Sequence, residues 1–424
     1  MIDPRFRLGE NFAREMDASD PLAHFRERFF IPRTDNGKEC IYLGGHSLGL
    51  QPKSAKSYIE EELKDWARLG VEGHFHAKNP WMPYHRLLTE QTATLVGAAA
   101  EEVVIMNSLT VNLHLMMVSF YRPTVQRCKI LIERGAFPSD QYAVHSQILF
   151  HGYDPASSLI ELTSRDGEFY FRDEDVQEVI EREGDSIALI MLGGVNYATG
   201  QLFDMESITT AGHRKGCVVG FDLAHAAGNV PLRLHDWGPD FAVWCSYKYL
   251  NGGPGCVAGC FVHARHAHDR DIPRLTGWWG HDEKVRFKMD PDFHAMEGAE
   301  GWQLSNPPIM ALAPLRASME IFQEATIDRL RAKSIKLTAY LEFLLKETRG
   351  HRFSIITPSE EARRGCQLSF RIPDRGRNVC DKLAAEGVIG DWREPDIYRV
   401  AAVPLYNSYQ DVYCFVQRFL AALV

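Results

Sequence analysis

The stretch CVVGFDLAHAAGNVPLRLHDWGPDFAVWCSYKYLNGGPG, residues 217–255, decides the fold. It opens on a branched apolar run that ends in Asp222, after which come small residues and His225. A second apolar run, FAVWCS (241–246), leads into Tyr247, Lys248 and a glycine-rich turn. Continuous apolarity over such short runs is the pattern of strands buried on both faces, as in a parallel sheet. Open α/β sheets bind ligands at the carboxyl ends of their strands. Two neighbouring strands therefore deliver a carboxylate, Asp222, and an amine, Lys248, to one edge.

Working outward, KILIE (129–133), IALIML (187–192) and CVAGCFV (256–262) read as strands of the same kind. Helical periodicity marks AKSYIEEELKDWARLG (55–70), HRLLTEQTATLVGAA (85–99) and DEDVQEVIEREG (173–184). The last of these crowds acids into its first turn, as the helix dipole favours. The alternation predicts an α/β fold, a doubly wound and mainly parallel sheet, spanning residues 60–310 after an N-terminal segment 1–59. Beyond it the pattern changes. MALAPLRASMEIFQEA and IDRLRAKSIKLTAYLEFLLKETRG read as two long helices, FSIITP, CQLSFRIP and YRVAAVP as strands, and 408–423 as a closing helix. This predicts a smaller α+β C-terminal domain over 311–424.

The chain of 424 residues is 45% hydrophobic and carries net charge -9, which gives no footing for nucleic acid or an anionic membrane as partner. Nine scattered cysteines, an odd count, fit a reducing compartment, and the cytoplasm is the expected location. The N-terminal MIDPRFRLGENFAREMDASD is not a secretory signal, and no run of 18 or more apolar residues occurs. Cys256 and Cys260 lack a zinc-type partner pair, and HARHAH (263–268) reads as a solvated loop, so no metal is expected. NGGPG (251–255) lacks the ending of a nucleotide P-loop, and no GxSxG motif supports a serine hydrolase.

Asp222 and Lys248, one per strand end, make the pair that pyridoxal-phosphate (PLP) chemistry needs. A lysine amine forms a Schiff base with the cofactor aldehyde and then moves protons. A carboxylate beside the pyridine nitrogen keeps that nitrogen protonated. The protonated ring accepts electrons released at the substrate α-carbon. Taken singly, Asp222 could be a cap and Lys248 a solvated loop lysine; the strand context joins them.

The segment resembles the cofactor-lysine region of the kynureninase family, among the fold type I (aminotransferase-like) PLP enzymes. The other carriers are LGGHSLGLQP (43–52), MNSLTVNLH (106–114), AFPSD (136–140), GWWGH (277–281), RFKMD (286–290), SNPP (305–308) and VPLYNS (403–408). The resemblance implies that Lys248 is the Schiff-base lysine and Asp222 the partner of the pyridine nitrogen. It places Leu109 and Thr110 at the phosphate, where NSLTVNLH reads as a polar turn opening a helix, with orphan N–H groups for an anion. It assigns Phe137 to ring stacking, and Asp140, His225, Tyr247, Trp278 and Asn306 to cofactor contacts. Arg399 falls to the substrate α-carboxylate, a bidentate task that suits guanidinium. The family also implies a homodimer in which the second subunit supplies some contacts. One departure is His46, where the family often has asparagine; another is Gly193, where relatives offer a hydroxyl.

The implied reaction is hydrolysis of kynurenine or 3-hydroxykynurenine to an anthranilate and L-alanine, a step of tryptophan breakdown or NAD supply. Lys248 takes the α-proton, water adds to the γ-carbonyl, and the Cβ–Cγ bond breaks, with Tyr247 as acid/base in the later steps. His74 and Asn306 correspond to positions near the substrate ring and can hydrogen-bond a ring hydroxyl, which favours the 3-hydroxy substrate. Two rival readings stand beside this one. A cysteine desulfurase or aminotransferase needs a nucleophilic thiol, for which Cys366 is the candidate, or a different carboxylate site. A non-enzymatic binding protein would not need Lys248, Asp222 and Arg399 together.

Overall fold

The computed structural model describes residues 4–269, 271–289, 291–347, 353–373 and 376–423. After a short N-terminal strand, Ile41–Tyr42 (β1), the chain builds its main sheet. Its strands are Val103–Ile105 (β2), Lys129–Glu133 (β3), Leu159–Leu162 (β4), Ile187–Gly193 (β5), Val218–Asp222 (β6), Phe241–Trp244 (β7) and Gly259–Val262 (β8). These seven lie in the order β2-β8-β7-β6-β5-β3-β4. Strands β3 to β7 pair in parallel, and β8 runs against both of its neighbours.

The period of two explains why these runs are apolar throughout. Leu131, Ile190, Val219, Phe221 and Ala242 enter one core, while Ile130, Ile132, Leu189, Met191 and Val243 enter another. Each face is covered by helices, so the buried positions of the inner strands need apolar side chains. Burial of each large aliphatic residue contributes about 1.5–3 kcal/mol.

The C-terminal part holds Ser354–Ile355 (β9), Gln367–Arg371 (β10), Val388–Ile389 (β11), Asp391–Arg393 (β12) and Ile397–Ala401 (β13). Four of them form an antiparallel sheet in the order β12-β13-β10-β9, and β1 pairs in parallel with β11. Phe6, Phe12, Ile41 and Leu43 share a core with Leu337, Tyr340, Phe370, Phe415 and Phe419. Part of the N-terminal segment is thus packed into the C-terminal core, while Leu22, Phe25, Phe29 and Leu50 join the main one.

Some expectations shift. CVAGCFV becomes strand only from Gly259 and runs antiparallel, because the residues after β7 carry the Lys248 turn and form no crossover helix. HRLLTEQTATLVGAA splits into a 3₁₀ turn, Tyr84–Leu88, and a helix, Thr89–Val96, which stops at Gly97 with φ 63°. Strands β2 and β4 are additions, too short or too polar to stand out. The final residues of KETRG (348–350) and Asp290 of RFKMD lie outside the described residues. Among the described residues, no helix is long and apolar enough to cross a membrane.

Candidate active site

The carboxyl ends of the parallel strands form one edge, and the site grows from it. Glu133 ends β3, Gly193 ends β5 and Asp222 ends β6, each buried within the sheet or nearly so. After β2, the helix Leu109–Phe120 begins behind Ser108 in extended conformation. After β3, the helix Pro138–Phe150 begins behind Phe137. Thr110 Oγ1 and Ser139 Oγ, one from each helix start, lie 2.8 Å apart. Two hydroxyls and two sets of orphan N–H groups there suit a phosphate dianion.

Lys248 follows β7, with its Nζ 3.1 Å from His225 Nε2, 5.8 Å from the Phe137 ring centre and 6.0 Å from that of Tyr247. The backbone beneath it is tightly placed: a Cβ on Gly49 would stand 2.3 Å from the Lys248 carbonyl oxygen. The LGGHSLGLQP motif therefore needs glycine there to approach the lysine turn. Leu109, Thr110, Phe137, Asp140, Asp222, His225, Tyr247 and Lys248 all line one cleft. Eight side chains expected from the sequence are thus brought together.

Three carboxyls meet in this cleft. Burial raises the Asp140 carboxyl well above the usual range, with Asp222 and Glu133 adding repulsion. Asp222 is raised by burial but held back by Lys248 and by the Ala224 N–H, which donates to its Oδ1 at 2.7 Å. Asp140 accordingly keeps a proton and donates it towards Asp222, the member nearer the lysine charge. Glu133, accepting from the Gly193 N–H at 3.1 and 3.3 Å, is pushed up by burial to about 7. Burial, then Lys248 and Arg399, hold the His225 imidazole well below its usual range. Burial likewise raises the Tyr247 phenol, which keeps its proton at neutral pH.

These features fit PLP. Asp140 Oδ1 and His225 Nδ1 are buried polar atoms without a hydrogen-bond partner among the described residues, and both belong to cleft-lining residues. An aromatic ring, an amine, a carboxylate and a helix-borne anion cradle stand around them. Such orphans call for a polar occupant.

Other expected residues stand apart from the cleft. Arg399 is fully buried on β13; its Nη1 donates to the Tyr197 carbonyl at 2.6 Å and its Nη2 to Asp391. Tyr197 itself lines the cleft, its ring edge-on to Phe137 at 5.3 Å. His74 is half-buried and edge-on to Trp81 at 5.5 Å, while Trp278 and Asn306 are exposed. Residues missed in the sequence include Glu133, Ser139, Tyr197 and Asp391. Glu133 could have been found as the acid closing the KILIE strand. Asp391 faces Arg399 across the β12–β13 pairing, a register that no local motif announces.

The HARHAH segment is better tied than a solvated loop. His266 Nε2 is 2.8 Å from Asp240 Oδ1, and His263 sits with His235 around the buried Glu102. Glu102 already accepts backbone N–H groups from Ala99 and Ala264, each at 2.8 Å, and His263 Nδ1 accepts from Arg265 N. The cluster works as a polar clasp. Cys366 is fully buried with its thiol pushed up to about 12 by burial, the opposite of a nucleophilic thiolate.

Comparison with known proteins agrees with this geometry. Residues 330–419 match the kynureninase C-terminal domain family. The kynureninase of Koribacter versatilis is 68% identical, covering 100% of both chains, and that of Myxococcus xanthus 60%, covering 97% of both. Solved structures share the fold at low identity. A cysteine desulfurase from Thermococcus onnurineus superposes with a TM-score of 0.73 at 16% identity, over 100% of this chain and 99% of that one. A C-DES mutant with glycine covalently linked to its PLP cofactor gives 0.75 at 17%, over 90% and 96%. At such identities those structures speak for the fold alone, an α/β fold of the PLP fold type I kind. The match to the two curated relatives runs the length of the chain and is of another order: the chain belongs to the kynureninase family of enzymes.

Proposed function

We propose that the chain is a PLP-dependent kynureninase that hydrolyses L-kynurenine or 3-hydroxy-L-kynurenine to anthranilate or 3-hydroxyanthranilate plus L-alanine. The observation that carries this reading is the convergence of Lys248, Asp222, His225 and Phe137 in one cleft at the carboxyl edge of the sheet. Thr110, Leu109 and Ser139 would hold the phosphate, Phe137 the ring face, and Asp222 the ring nitrogen. Bound there, PLP supplies a protonated ring that accepts the electrons released at the substrate α-carbon.

The chain's own residues do the rest. Lys248 Nζ holds and moves the α-proton, with neutral His225 fixed beside it. Asp140, keeping its own proton, leaves Asp222 as the charged member that faces the ring nitrogen. Tyr247 retains its phenol proton and can donate it in the later steps. Arg399, set just outside the cleft and tied to it by donating to the carbonyl of the cleft-lining Tyr197, would receive the substrate α-carboxylate.

A homodimer accounts for Trp278 and Asn306, which stand away from the cleft. Phe75, Trp278 and Phe287 are 54%, 43% and 57% exposed, with Trp278 edge-on to Phe287 at 5.4 Å. An exposed aromatic cluster of this kind marks an association surface. A second copy seated on it would bring Trp278 and Asn306 to the partner's cleft. The chain is read as cytoplasmic, with its PLP domain over 60–310 and a smaller domain over 311–424. A desulfurase reading would need a reactive thiol, and the buried Cys366 does not offer one. Borohydride reduction of the PLP-loaded protein, then peptide mass analysis, tests the assignment: the label is expected on Lys248, and a label on another lysine would overturn it.

A further inference from the structure

We propose that His46 is the second donor at the station that receives the substrate α-carboxylate, acting beside Arg399. The inference rests on the kynureninase reading and deepens it. His46 is fully buried, and among the described residues neither of its ring nitrogens makes a hydrogen bond of standard geometry. Its Nε2 lies 3.6 Å from Asp391 Oδ2, and its ring centre 6.4 Å from that of His225. It therefore stands between the Arg399–Asp391 pair on one side and the His225–Lys248 pair on the other.

The charges around it ask for an anion. Asp391 is shared by two guanidiniums, Arg399 and Arg393, the latter at 2.9 Å. The Nε atoms of both arginines are buried without partners among the described residues. Burial and the nearby Arg399, Lys248 and Arg393 charges keep the His46 imidazole neutral. One carboxylate against two guanidiniums leaves an excess positive charge beside an imidazole that always carries one N–H. Buried donors left unpaired are costly. A substrate carboxylate would satisfy them, with His46 donating to it and Arg399 balancing its charge.

The position of the ring is built into the loop. A Cβ on Gly45 would stand 2.2 Å from Tyr406 Oη, and Gly49 is pressed against the Lys248 turn. The segment is pinned at both ends, so His46 holds its place.

The test compares two ligands of the PLP-loaded protein, L-alanine and L-alaninamide, which share amine and methyl but differ in the carboxylate. Their dissociation constants are read from the change in visible absorption, in wild type, His46→Leu and His46→Asn. Removing a hydrogen bond to a charged group should weaken L-alanine about tenfold or more in H46L and L-alaninamide less than about twofold, with H46N in between. Equal losses for both ligands, or no loss for either, would overturn the proposal. Where H46L does not fold, the ratio is read in H46N, and an unchanged ratio there overturns it equally. Kynurenine cleavage by the wild type is measured alongside. If it fails, the functional reading falls; if it succeeds while the ligand ratio stays unchanged, only the role of His46 falls.

Discussion

Lys248 Nζ and His225 Nε2 stand 3.1 Å apart, and this contact places a neutral imidazole against the amine proposed to handle the α-proton. Because burial depresses the imidazole first and Lys248 depresses it further, His225 shares hydrogen with the amine without competing for its charge.

Lys248→Ala should therefore lose the proton carrier. Turnover of kynurenine is expected to fall by at least about 10²–10⁴-fold, the range for a positioned acid/base group. The protein should still take up PLP, but without the absorption of cofactor joined to an amine. Activity near the wild-type level would contradict the role of Lys248.

Glu133 links pH to stability. Its carboxyl is raised from 4.5 to about 7 by burial, so folding favours the protonated form. That contribution is fully present below about pH 4.5 and is lost as pH rises through about 7, a change on the order of 3 kcal/mol. Glu133→Gln keeps a neutral side chain and should flatten the stability of the cofactor-free protein across this window. Denaturant unfolding between pH 5 and 8 reads it, and parallel profiles for both proteins would contradict it.

Thr110 stands 2.8 Å from Ser139 at the junction of two helix starts. Thr110→Val keeps the shape and removes the hydroxyl. The PLP dissociation constant should rise about tenfold, as for loss of a hydrogen bond to a charged group, and equilibrium dialysis would show it.

His74 Nδ1 is buried without a hydrogen-bond partner among the described residues. If His74 serves the substrate ring, His74→Leu should narrow the gap in kcat/KM between 3-hydroxykynurenine and kynurenine, by about 1–3 kcal/mol at most. An unchanged gap would remove His74 from specificity.

Phe287 and Trp278 meet edge-on at an exposed face. Phe287→Asp puts a charge into that face and should convert a dimer to a monomer in sedimentation at micromolar concentration. A PLP affinity that falls with it would tie Trp278 to the partner's cofactor. A wild-type protein that is already monomeric would contradict the shared-site picture.

The main sheet was legible because its strands are buried on both faces: after Lys129 opens the first, KILIE, IALIML and CVVGFD carry no polar side chain until the carboxyl edge. Asp222 and Lys248 were legible for the same reason, as chemistry placed where such strands end. Glu133 was visible but unread, since one acid closing an apolar strand has no meaning until Gly193 and Asp222 are known to flank it. The tie between Arg399 and Asp391 depends on cross-strand register, and that between His46 and Asp391 on contact between distant segments, β12 and the N-terminal loop. Neither leaves a local pattern. Trp278, His74 and Asn306 were drawn from motif resemblance, and within one chain the cleft does not include them.

The most direct test of the central claim is initial rates of the PLP-loaded protein on L-kynurenine and 3-hydroxy-L-kynurenine, following the anthranilate together with L-alanine. Stoichiometric release of both products from at least one substrate is predicted. A protein that binds PLP at Lys248 yet cleaves neither would contradict the account.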